Sequence, residues 1–482
     1  MMKLKELLKG IEILESTADP ELEITGICCD SRAVREGDLF VAVRGYESDG
    51  HRFIQAAAEN GAACVLCESV PACGVPYVRI ADTRRAQAVA AAEFYGHPAD
   101  QMKLVGVTGT NGKTTTTHLI KQMIEQVTGG KVGLIGTIHN MIGSQILPTE
   151  RTTPDAISLQ KLFREMADAG CAYAVMEVSS HALALDRVYG VTFEVGVFTN
   201  LTRDHLDFHK TMDEYCRAKA LLFAQSRKGV VNLDDAYAQQ MIASATCPVY
   251  TYSANTDTAD LAARNVRLDH EGVRFCVLTI GRLEKTSLPI PGRFSVYNGL
   301  AAIAVAVQLG MDLGTAAQAL EKCSGVCGRA EIVPTGRDFS VIIDYAHTPD
   351  ALENILSTLD DFAKGRVVAL VGCGGDRDKT KRPMMGKIAA EMADFVIVTS
   401  DNPRTEAPMD IINDILPGLK DTKTPYIVIE NRKEAIFWAV QHAQPGDIIL
   451  LAGKGHETYQ VIGHEKRHFD EREIVAEALQ SC

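Results

Sequence analysis

The sequence has no long hydrophobic run, no excess of positive charge and no apolar N-terminal leader. Its best candidate for a membrane span, residues 300–307, is far shorter than the roughly 20 apolar residues of a transmembrane helix. The formal net charge of −13 argues against general affinity for nucleic acid or anionic membranes, although local basic pockets for an anionic ligand remain possible. The N-terminal stretch MMKLKELLKGIEIL has scattered charges and no continuous apolar core, which is not typical of a signal peptide. We therefore expect a cytoplasmic protein that does not insert into membranes.

The cysteines do not predict disulfides or a metal centre. There are 13 of them, an odd number, spread through apolar segments as reduced core thiols are. Cys64 and Cys67 lie in a predicted strand, where residues three apart point to opposite faces. Cys323 and Cys327 have no second chelating pair nearby. We therefore favour a structural role over a metal site for both pairs.

The length of 482 residues is too great for one core and predicts about three domains. We place them at residues 1–98, 99–328 and 329–482. The first is predicted to be a small α/β unit whose last helix, residues 84–95, stops at Gly96-His97-Pro98, because glycine and proline just past a helix end it.

Strands alternate with helices in the middle domain. The strands are apolar throughout rather than at every second residue, which predicts a parallel sheet covered on both faces. The predicted strands are 104–107, 132–135, 173–178, 195–199 and 229–232. A segment rich in β-forming residues, 249–288, and a helix over 299–309 complete the domain.

Residues 106–117, GVTGTNGKTTTT, follow a hydrophobic pair and precede a helical pattern. Glycines let backbone N–H groups approach phosphates, and a helix N-terminus favours negative charge. Lys113 would reach the β- and γ-phosphates, and the Thr114 hydroxyl would ligate Mg²⁺. Val107 stands where the general phosphate loop has its first glycine. Gly-Lys-Thr-Thr at a strand-to-helix junction nevertheless predicts polyphosphate binding.

Two further strands of the middle domain end in polar residues. Glu177 begins the run EVSSH, and His205 ends the run NLTRDH. Because ligands of open α/β sheets sit beyond the carboxyl ends of strands, we expect both near the phosphate loop, available to a divalent metal. Lys219 lies in a helical pattern, and the pattern leaves open whether it is a surface lysine.

Residues 329–482 are predicted to form another α/β unit with its own sheet. Its strands end in DYAHTP, GCGGDRD, SDNPR, ENR and GKGHE, so each delivers polar or glycine residues to one edge. The run GCGG does not fit the dinucleotide fingerprint GxGxxG. The expected fold class is α/β, with an N-terminal α/β domain, a central P-loop domain with a parallel sheet and a C-terminal Rossmann-like domain.

The motifs GTNGKTTT, EVSSHAL, NLTRDHLDFH, YNGLAA, GRAE, DYAHTP, GGDRDKTKRP, DNPRTE and AGKGHE occur in this order. Together they resemble the Mur ligase family, and within it the members that add meso-diaminopimelate. The resemblance covers nearly the whole chain. It implies an ATP-dependent amide ligase of peptidoglycan synthesis that adds meso-diaminopimelate to UDP-N-acetylmuramoyl-L-alanyl-D-glutamate through an acyl phosphate. ATP and Mg²⁺ are the implied cofactors, and we expect a monomer.

The resemblance also implies residue roles. The implied catalytic residues are Lys113, Glu177, His205 and Lys219, and the implied metal ligands are Thr114, Glu177, His205 and Lys219. Lys219 matches a lysine that is carbamylated in related ligases. The implied nucleotide contacts are Gly109, Thr110, Asn111, Gly112, Lys113, Thr114, Thr115, Asn298, Arg329 and Asp344. The implied contacts to the UDP-sugar and its peptide are Ser31, Tyr46, Glu47, Ser48, Thr152, Thr153, Ser179 and Arg187. Leu185 departs from the pattern, because some relatives carry glutamine there.

The implied amino acid site comprises Arg377, Asp401, Asn402, Pro403, Arg404, Gly453 and Glu457. Lysine-adding members usually lack the arginine of the DNPR motif. Arg404 can bind a carboxylate through two hydrogen bonds and Glu457 can accept from an ammonium, which suits the zwitterionic end of diaminopimelate. A solvated arginine in a strand-ending turn is the alternative interpretation.

Two other functions are compatible with a phosphate loop. One is another ligase of the same superfamily, such as a folylpolyglutamate synthase-like enzyme, against which the combined DNPR and GKGHE motifs argue. The other is a nucleotide-binding regulatory or scaffold protein. A guanine-nucleotide switch would need an NKxD base-reading motif, and the sequence has none.

Overall fold

The structure is a computed structural model that describes residues 1–45, 48–269, 271–360 and 362–481. The chain divides into two compact units, residues 1–252 with 304–311 and residues 253–303 with 312–482. Within the described ranges, no helix is both long and apolar enough to cross a membrane. The cytoplasmic location and the monomeric state stay predictions.

The first unit begins with a small α/β layer. Its elements are β1 (Met2–Lys3), α1 (Leu4–Leu7), β2 (Ile13–Ser16), β3 (Glu23–Ile24), β4 (Gly26–Cys28), β5 (Asp38–Val41), a 3-10 helix (Gly50–Phe53), α2 (Ile54–Glu59), β6 (Cys64–Cys67), β7 (Tyr77–Ile80) and α3 (Thr83–Phe94). The main sheet has the order β2-β7-β6-β5-β4, parallel from β4 to β7 and antiparallel at β2. Asp82 begins α3 by accepting the backbone N–H groups of Arg84 and Arg85, so the predicted helix is confirmed within a residue at each end.

Strand β6 confirms the interpretation of its two cysteines. Cys64 packs with Leu66 in one hydrophobic cluster, whereas Cys67 packs with Val65 in another on the opposite face. Both thiols are fully buried. They are core residues, and the alternation of a strand separates them.

The rest of the first unit carries the central sheet. Its elements are a 3-10 helix (Pro98–Gln101), β8 (Lys103–Thr108), α4 (Lys113–Thr128), β9 (Val132–Ile135), β10 (Asn140–Ile142), β11 (Gln145–Leu147), α5 (Ala156–Asp168), β12 (Tyr173–Glu177), α6 (Ser180–Ala184), β13 (Val195–Phe198), α7 (Leu206–His209), α8 (Met212–Ala224), β14 (Gly229–Asn232), α9 (Ala238–Ser244) and β15 (Val249–Ser253). The strand order is β11-β10-β9-β12-β8-β13-β14-β15. Strands β9, β12, β8, β13, β14 and β15 pair in parallel, and β10 and β11 add an antiparallel edge. The predicted parallel sheet is confirmed, and β8 with its phosphate loop lies between β12 and β13.

The second unit begins with an antiparallel sheet and ends in an α/β layer. Its elements are β16 (Leu261–Asp269), β17 (Gly272–Thr279), β18 (Arg282–Leu288), residues 293–303 of α10 (Arg293–Gln308), α11 (Leu313–Glu321), β19 (Glu331–Val333), β20 (Ser340–Asp344), α12 (Pro349–Asp360), β21 (Val367–Val371), α13 (Lys381–Met392), β22 (Phe395–Val398), α14 (Pro408–Ile415), a 3-10 helix (Leu416–Leu419), β23 (Tyr426–Val428), α15 (Arg432–Gln441), β24 (Ile448–Ala452), β25 (Tyr459–Ile462), β26 (Glu465–His468) and α16 (Glu471–Gln480). The C-terminal sheet has the order β19-β20-β24-β21-β22-β23 and is parallel except at β19. This confirms the second α/β unit.

One predicted helix boundary is wrong. Helix α10 begins at Arg293 rather than at residue 299. The prediction treated Gly299 as a helix start, but apolar burial begins earlier, since Val296 is fully buried. A glycine inside a helix lowers its intrinsic propensity, and packing overrides that here.

Candidate active site

The loop after β8 exposes the N-terminus of α4. Gly112 takes the N-cap position with φ of 83°, a left-handed conformation that favours glycine. Gly112 has no side chain to cap this N-terminus, and a helix N-terminus carries partial positive charge that favours an anion. Asn200 braces the loop: its backbone oxygen accepts the Thr110 N–H at 2.9 Å, and its side-chain oxygen accepts the Asn111 N–H at 2.8 Å. Asn200 was not predicted as a site residue, although it lies inside the NLTRDH motif.

Two lysines converge on the same loop. The Lys113 ammonium donates to the Gly109 oxygen at 2.9 Å, and the Lys219 ammonium donates to that oxygen at 2.7 Å. Lys219 is 1% exposed and lies 4.5 Å from the Tyr215 ring centroid, so the surface-lysine alternative is wrong. Burial and, secondly, the Lys113 charge lower the pKa of Lys219 well below its ordinary value. The sequence pattern could not show this burial, because it depends on α8 packing under the loop.

Glu177 lies at the end of β12, where its carboxylate meets the phosphate loop. Oε2 accepts the Thr114 hydroxyl at 3.0 Å and the Thr137 hydroxyl at 3.1 Å, and Oε1 accepts the Thr137 N–H at 2.9 Å. The structure thus brings together two predicted metal ligands, Thr114 and Glu177. Thr137, which follows β9, was missed, although it too stands just past the carboxyl end of a strand.

The donor set at Glu177 fits a hard cation. A hydroxyl and a carboxylate oxygen are the ligand types that Mg²⁺ prefers. In the described part of the chain, no group of three or more His, Cys, Asp or Glu is placed to hold a metal ion. Mg²⁺ is usually held by one or two carboxylates together with water and substrate phosphates, so this sparse set suits it.

His205 lies in a group of aromatic side chains that includes His181 and Tyr215. Its ring is perpendicular to that of His181 at 4.8 Å between centroids, and its Nε2 lies 3.3 Å from an Asp204 oxygen. Burial lowers the pKa of His205, the Asp204 carboxylate opposes this, and the charges of Lys113 and Lys219 lower it further. The lowered pKa favours the neutral imidazole, the form that binds metals.

The residues predicted to contact the muramoyl peptide gather beside Glu177. The Thr153 hydroxyl donates to the Glu177 backbone oxygen at 2.8 Å and accepts the Ser179 N–H at 3.1 Å. Arg187 donates to the Thr153 backbone oxygen at 3.1 Å, and the Thr152 hydroxyl lies 3.0 Å from that of Thr137. The cluster places a cation and several hydroxyl groups next to the phosphate loop.

The predicted uridine-diphosphate contacts are only partly described. Ser31 is 8% exposed, and its backbone oxygen accepts the Asn60 side-chain N–H at 2.8 Å. The backbone oxygen of Ser48, which is exposed, accepts the Gly45 N–H at 2.9 Å. Tyr46 and Glu47 lie outside the described residues. The roles of all four stay predictions.

Of the three predicted nucleotide contacts in the second unit, two meet at the start of the C-terminal layer. The Arg329 guanidinium lies 5.0 Å from the Tyr345 ring centroid, and the Asp344 carboxylate accepts the Ala330 N–H at 2.7 Å. Burial raises the pKa of Asp344, and the charge of Arg329 opposes this. Asn298 is buried in α10.

The DNPR motif follows β22 and is held by β25. Arg404 has φ of 52°, an uncommon conformation for a residue with a side chain. Its N–H donates to the Val461 oxygen at 3.1 Å, and its own oxygen accepts the Gly463 N–H at 2.7 Å. The guanidinium donates to the Gly375 oxygen at 2.7 Å. Pro403 packs closely here, since a Cβ on Gly375 would lie 1.9 Å from its oxygen. The solvated-turn interpretation is wrong, because Arg404 is part-buried and fixed through backbone and side chain.

Of the remaining predicted residues of the amino acid site, Asn402 contacts Glu457, Gly453 lies beside Asp401, and Arg377 lies apart from both. The Asn402 amide nitrogen donates to Glu457 Oε2 at 2.8 Å. Gly453 stands so close to Asp401 that a Cβ would lie 2.6 Å from its carboxylate oxygen. Arg377 is exposed and donates to the Asp376 backbone oxygen at 3.2 Å.

Comparison with known proteins agrees with this architecture. The Mur ligase family catalytic domain model matches residues 23–103, the Mur ligase middle domain model matches residues 107–306, and the Mur ligase glutamate ligase domain model matches residues 328–455. These matches cover most of the chain. The chain is a member of the Mur ligase family.

Relatives of this Mur ligase extend over its whole length. A protein of Caldanaerobacter subterraneus subsp. tengcongensis is 48% identical over 99% of both chains, and one of Clostridium acetobutylicum is 47% identical over 99% of both. They are named UDP-N-acetylmuramoyl-L-alanyl-D-glutamate--2,6-diaminopimelate ligase, the second with the suffix 1. A solved structure of a ligase with the same name is 35% identical, with a TM-score of 0.73 over 100% of this chain and 99% of that one. The three-domain α/β fold of the family is therefore shared.

Proposed function

We propose that this Mur ligase joins meso-diaminopimelate to the D-glutamyl end of UDP-N-acetylmuramoyl-L-alanyl-D-glutamate in the cytoplasm, with hydrolysis of ATP to ADP and phosphate. Relatives of matching length and 47–48% identity that carry this ligase name support the reaction. One structural observation supports meso-diaminopimelate as the amine substrate: the side chains of Arg404 and Glu457 are both held by hydrogen bonds in the same pocket. Both groups are close enough to Tyr459 to act on its pKa in opposite directions.

The proposed chemistry activates a carboxylate. Direct attack on a carboxylate would have to expel oxide, so transfer of the γ-phosphoryl group first makes an acyl phosphate with a good leaving group. Catalysis of such a transfer consists mainly of positioning and charge neutralisation. Lys113 and the N-terminus of α4 supply positive charge at the loop. Arg187, beside Thr153, supplies it where the substrate carboxylate would sit.

We propose Thr114 and Glu177 as the primary holders of Mg²⁺, with His205 and Lys219 as further candidates. When bound, the ion neutralises phosphate charge and orients the reacting oxygens. The hydrogen bond between Thr114 and Glu177 supports their assignment, because it sets two oxygen ligands side by side.

Lys219 is proposed to be carbamylated. The carbon dioxide adduct forms only on a neutral amine, and burial together with Lys113 favours that form. The adduct would convert a buried cation into an anion beside the phosphate loop. A buried carboxylate of this kind could hold a second Mg²⁺.

We propose the domain boundaries at residues 98 and 328 because a glycine with positive φ lies near each of them. Gly96, with φ of 71°, follows α3, and Gly328, with φ of 68°, precedes β19. The first domain would bind the UDP-sugar, the second ATP, and the third the amino acid.

Turnover with meso-diaminopimelate, lysine and ornithine side by side tests the function. ADP release should depend on the muramoyl dipeptide and should be fastest with meso-diaminopimelate. A reaction without the dipeptide is the control for uncoupled ATP hydrolysis. Activity with glutamate and folate alone would refute the proposal, and tight ATP binding without turnover of any amine would favour a regulatory protein.

A further inference from the structure

Lys454 contacts Asn402 and Glu457 of the amino acid site and has no role in the mechanism proposed above. It follows β24 in the GKGHE motif, and its side chain is 0% exposed. Lysine is almost never fully buried unless its charge is paired. The partners of this ammonium therefore show what it does.

Three residues of the amino acid site lie within 4 Å of the Lys454 ammonium. It donates to Asn402 Oδ1 at 3.1 Å and to Glu457 Oε2 at 3.2 Å, and it lies 3.8 Å from Asp401 Oδ1. Two of these residues carry negative charge. The ammonium offsets the repulsion between these two carboxylates in a buried pocket.

The same contacts fix the orientation of the Asn402 side-chain amide. Asn402 Oδ1 accepts from Lys454 and from the Val461 N–H at 2.9 Å, so both of its neighbours are donors. The Asn402 amide nitrogen must then face Glu457, to which it donates at 2.8 Å. Rotating the amide by half a turn would set donors against donors.

Among the residues that the structure describes, the hydrogen bonds to the Glu457 carboxylate are made to one oxygen. Asn402 and Lys454 both donate to Oε2, which leaves Oε1 as the oxygen that can accept from an incoming ammonium. The Val461 backbone oxygen also accepts the Arg404 N–H. Strand β25 therefore connects Arg404, which is proposed to bind the substrate carboxylate, with Asn402 and Glu457 at the proposed ammonium site.

We propose that Lys454 is a positioning residue for the amino acid substrate: its buried ammonium orients Asn402 and Glu457 and thereby sets the affinity for the diamino acid. The inference rests on the proposed function, because it assumes that Glu457 receives the substrate ammonium. Lys454 itself does not touch the reacting atoms.

Steady-state kinetics of Lys454→Met and Lys454→Gln in the full-length protein test this role. We expect the KM for meso-diaminopimelate to rise about tenfold or more in Lys454→Met, the effect of losing a charge-assisted hydrogen bond, while kcat and the KM for ATP change less than about twofold. Lys454→Gln keeps an N–H donor and should recover part of the loss. Lys466→Met is the matched control, because Lys466 is exposed and lies over the same Tyr459 ring as Lys454.

A double-mutant cycle shows whether Lys454 acts through Glu457. In a Glu457→Gln background, Lys454→Met should raise the KM for diaminopimelate much less than in the wild type. Equal effects in both backgrounds, an unchanged KM, or a parallel rise in the KM for ATP would overturn the proposal. Failure of both Lys454 variants to fold would assign a purely structural role and overturn it too.

The outcomes also separate this inference from the proposed function. If wild-type enzyme uses meso-diaminopimelate but Lys454→Met keeps its KM, only the positioning role fails. If wild-type enzyme does not use meso-diaminopimelate, the proposed function fails and the positioning role fails with it.

Discussion

Replacing Arg404 with methionine removes the guanidinium from the amino acid pocket and keeps a side chain of similar length. Backbone strain should not change, because both residues carry an unbranched Cβ at φ of 52°. In the described ranges, the side-chain hydrogen bond that is lost within the protein is the one to the Gly375 oxygen at 2.7 Å. We therefore expect a folded protein whose melting temperature changes little.

The effect on kcat/KM for meso-diaminopimelate should be much larger than the effect on stability. An arginine donates up to two hydrogen bonds to one carboxylate, and a hydrogen bond to a charged group contributes about 1.5–3 kcal/mol. Allowing for incomplete geometry, a total of about 2–4 kcal/mol corresponds to a loss of about 30- to 1,000-fold in kcat/KM for meso-diaminopimelate. Lysine has no second carboxylate, so its kcat/KM should stay constant or rise.

Release of phosphate, measured for both amines with wild type and Arg404→Met, gives the selectivity ratio directly. Arg467→Met is the control, because Arg467 is exposed on the neighbouring hairpin and pairs only with the exposed Glu465 among the residues described. If Arg404→Met kept its kcat/KM for meso-diaminopimelate within about twofold, or lost activity equally with lysine, Arg404 would not bind the distal carboxylate.

Three further predictions concern the phosphate loop and stability. Lys219→Ala should lose nearly all turnover and regain part of it with small carboxylates such as acetate, measured as ADP release; full activity without additive would refute carbamylation. Gly109→Ala would bring its Cβ within 1.8 Å of the Thr199 hydroxyl, so the KM for ATP should rise several-fold, and an unchanged KM would show that the loop adapts. The hydrogen bond with the Arg282 guanidinium lowers the pKa of Asp312 to about 2. The ion pair between these two side chains therefore stabilises the fold above about pH 4, and this stabilisation is lost as the pH falls towards 2. Asp312→Asn should therefore flatten the acid side of a plot of melting temperature against pH, and an unaltered plot would contradict the ion pair.

The sequence alone determined the layers of the fold. Uninterrupted apolar strands such as residues 132–135 can only be buried on both faces, and this predicts a parallel sheet without any knowledge of distant contacts. Glycines at turns and polar residues at strand ends then predicted that Gly112, Glu177 and Arg404 would stand at the ligand edge. These features are local, so the order of residues is enough to reveal them.

Only the tertiary structure decided how the side chains are used. Lys219 and Lys454 look like ordinary lysines in the sequence, yet both are fully enclosed by segments far away in the chain. The partners that hold them, Gly109 for one and Asn402 for the other, are 110 and 52 residues distant. Burial and the pairing of charges depend on such long-range packing, which no local pattern encodes.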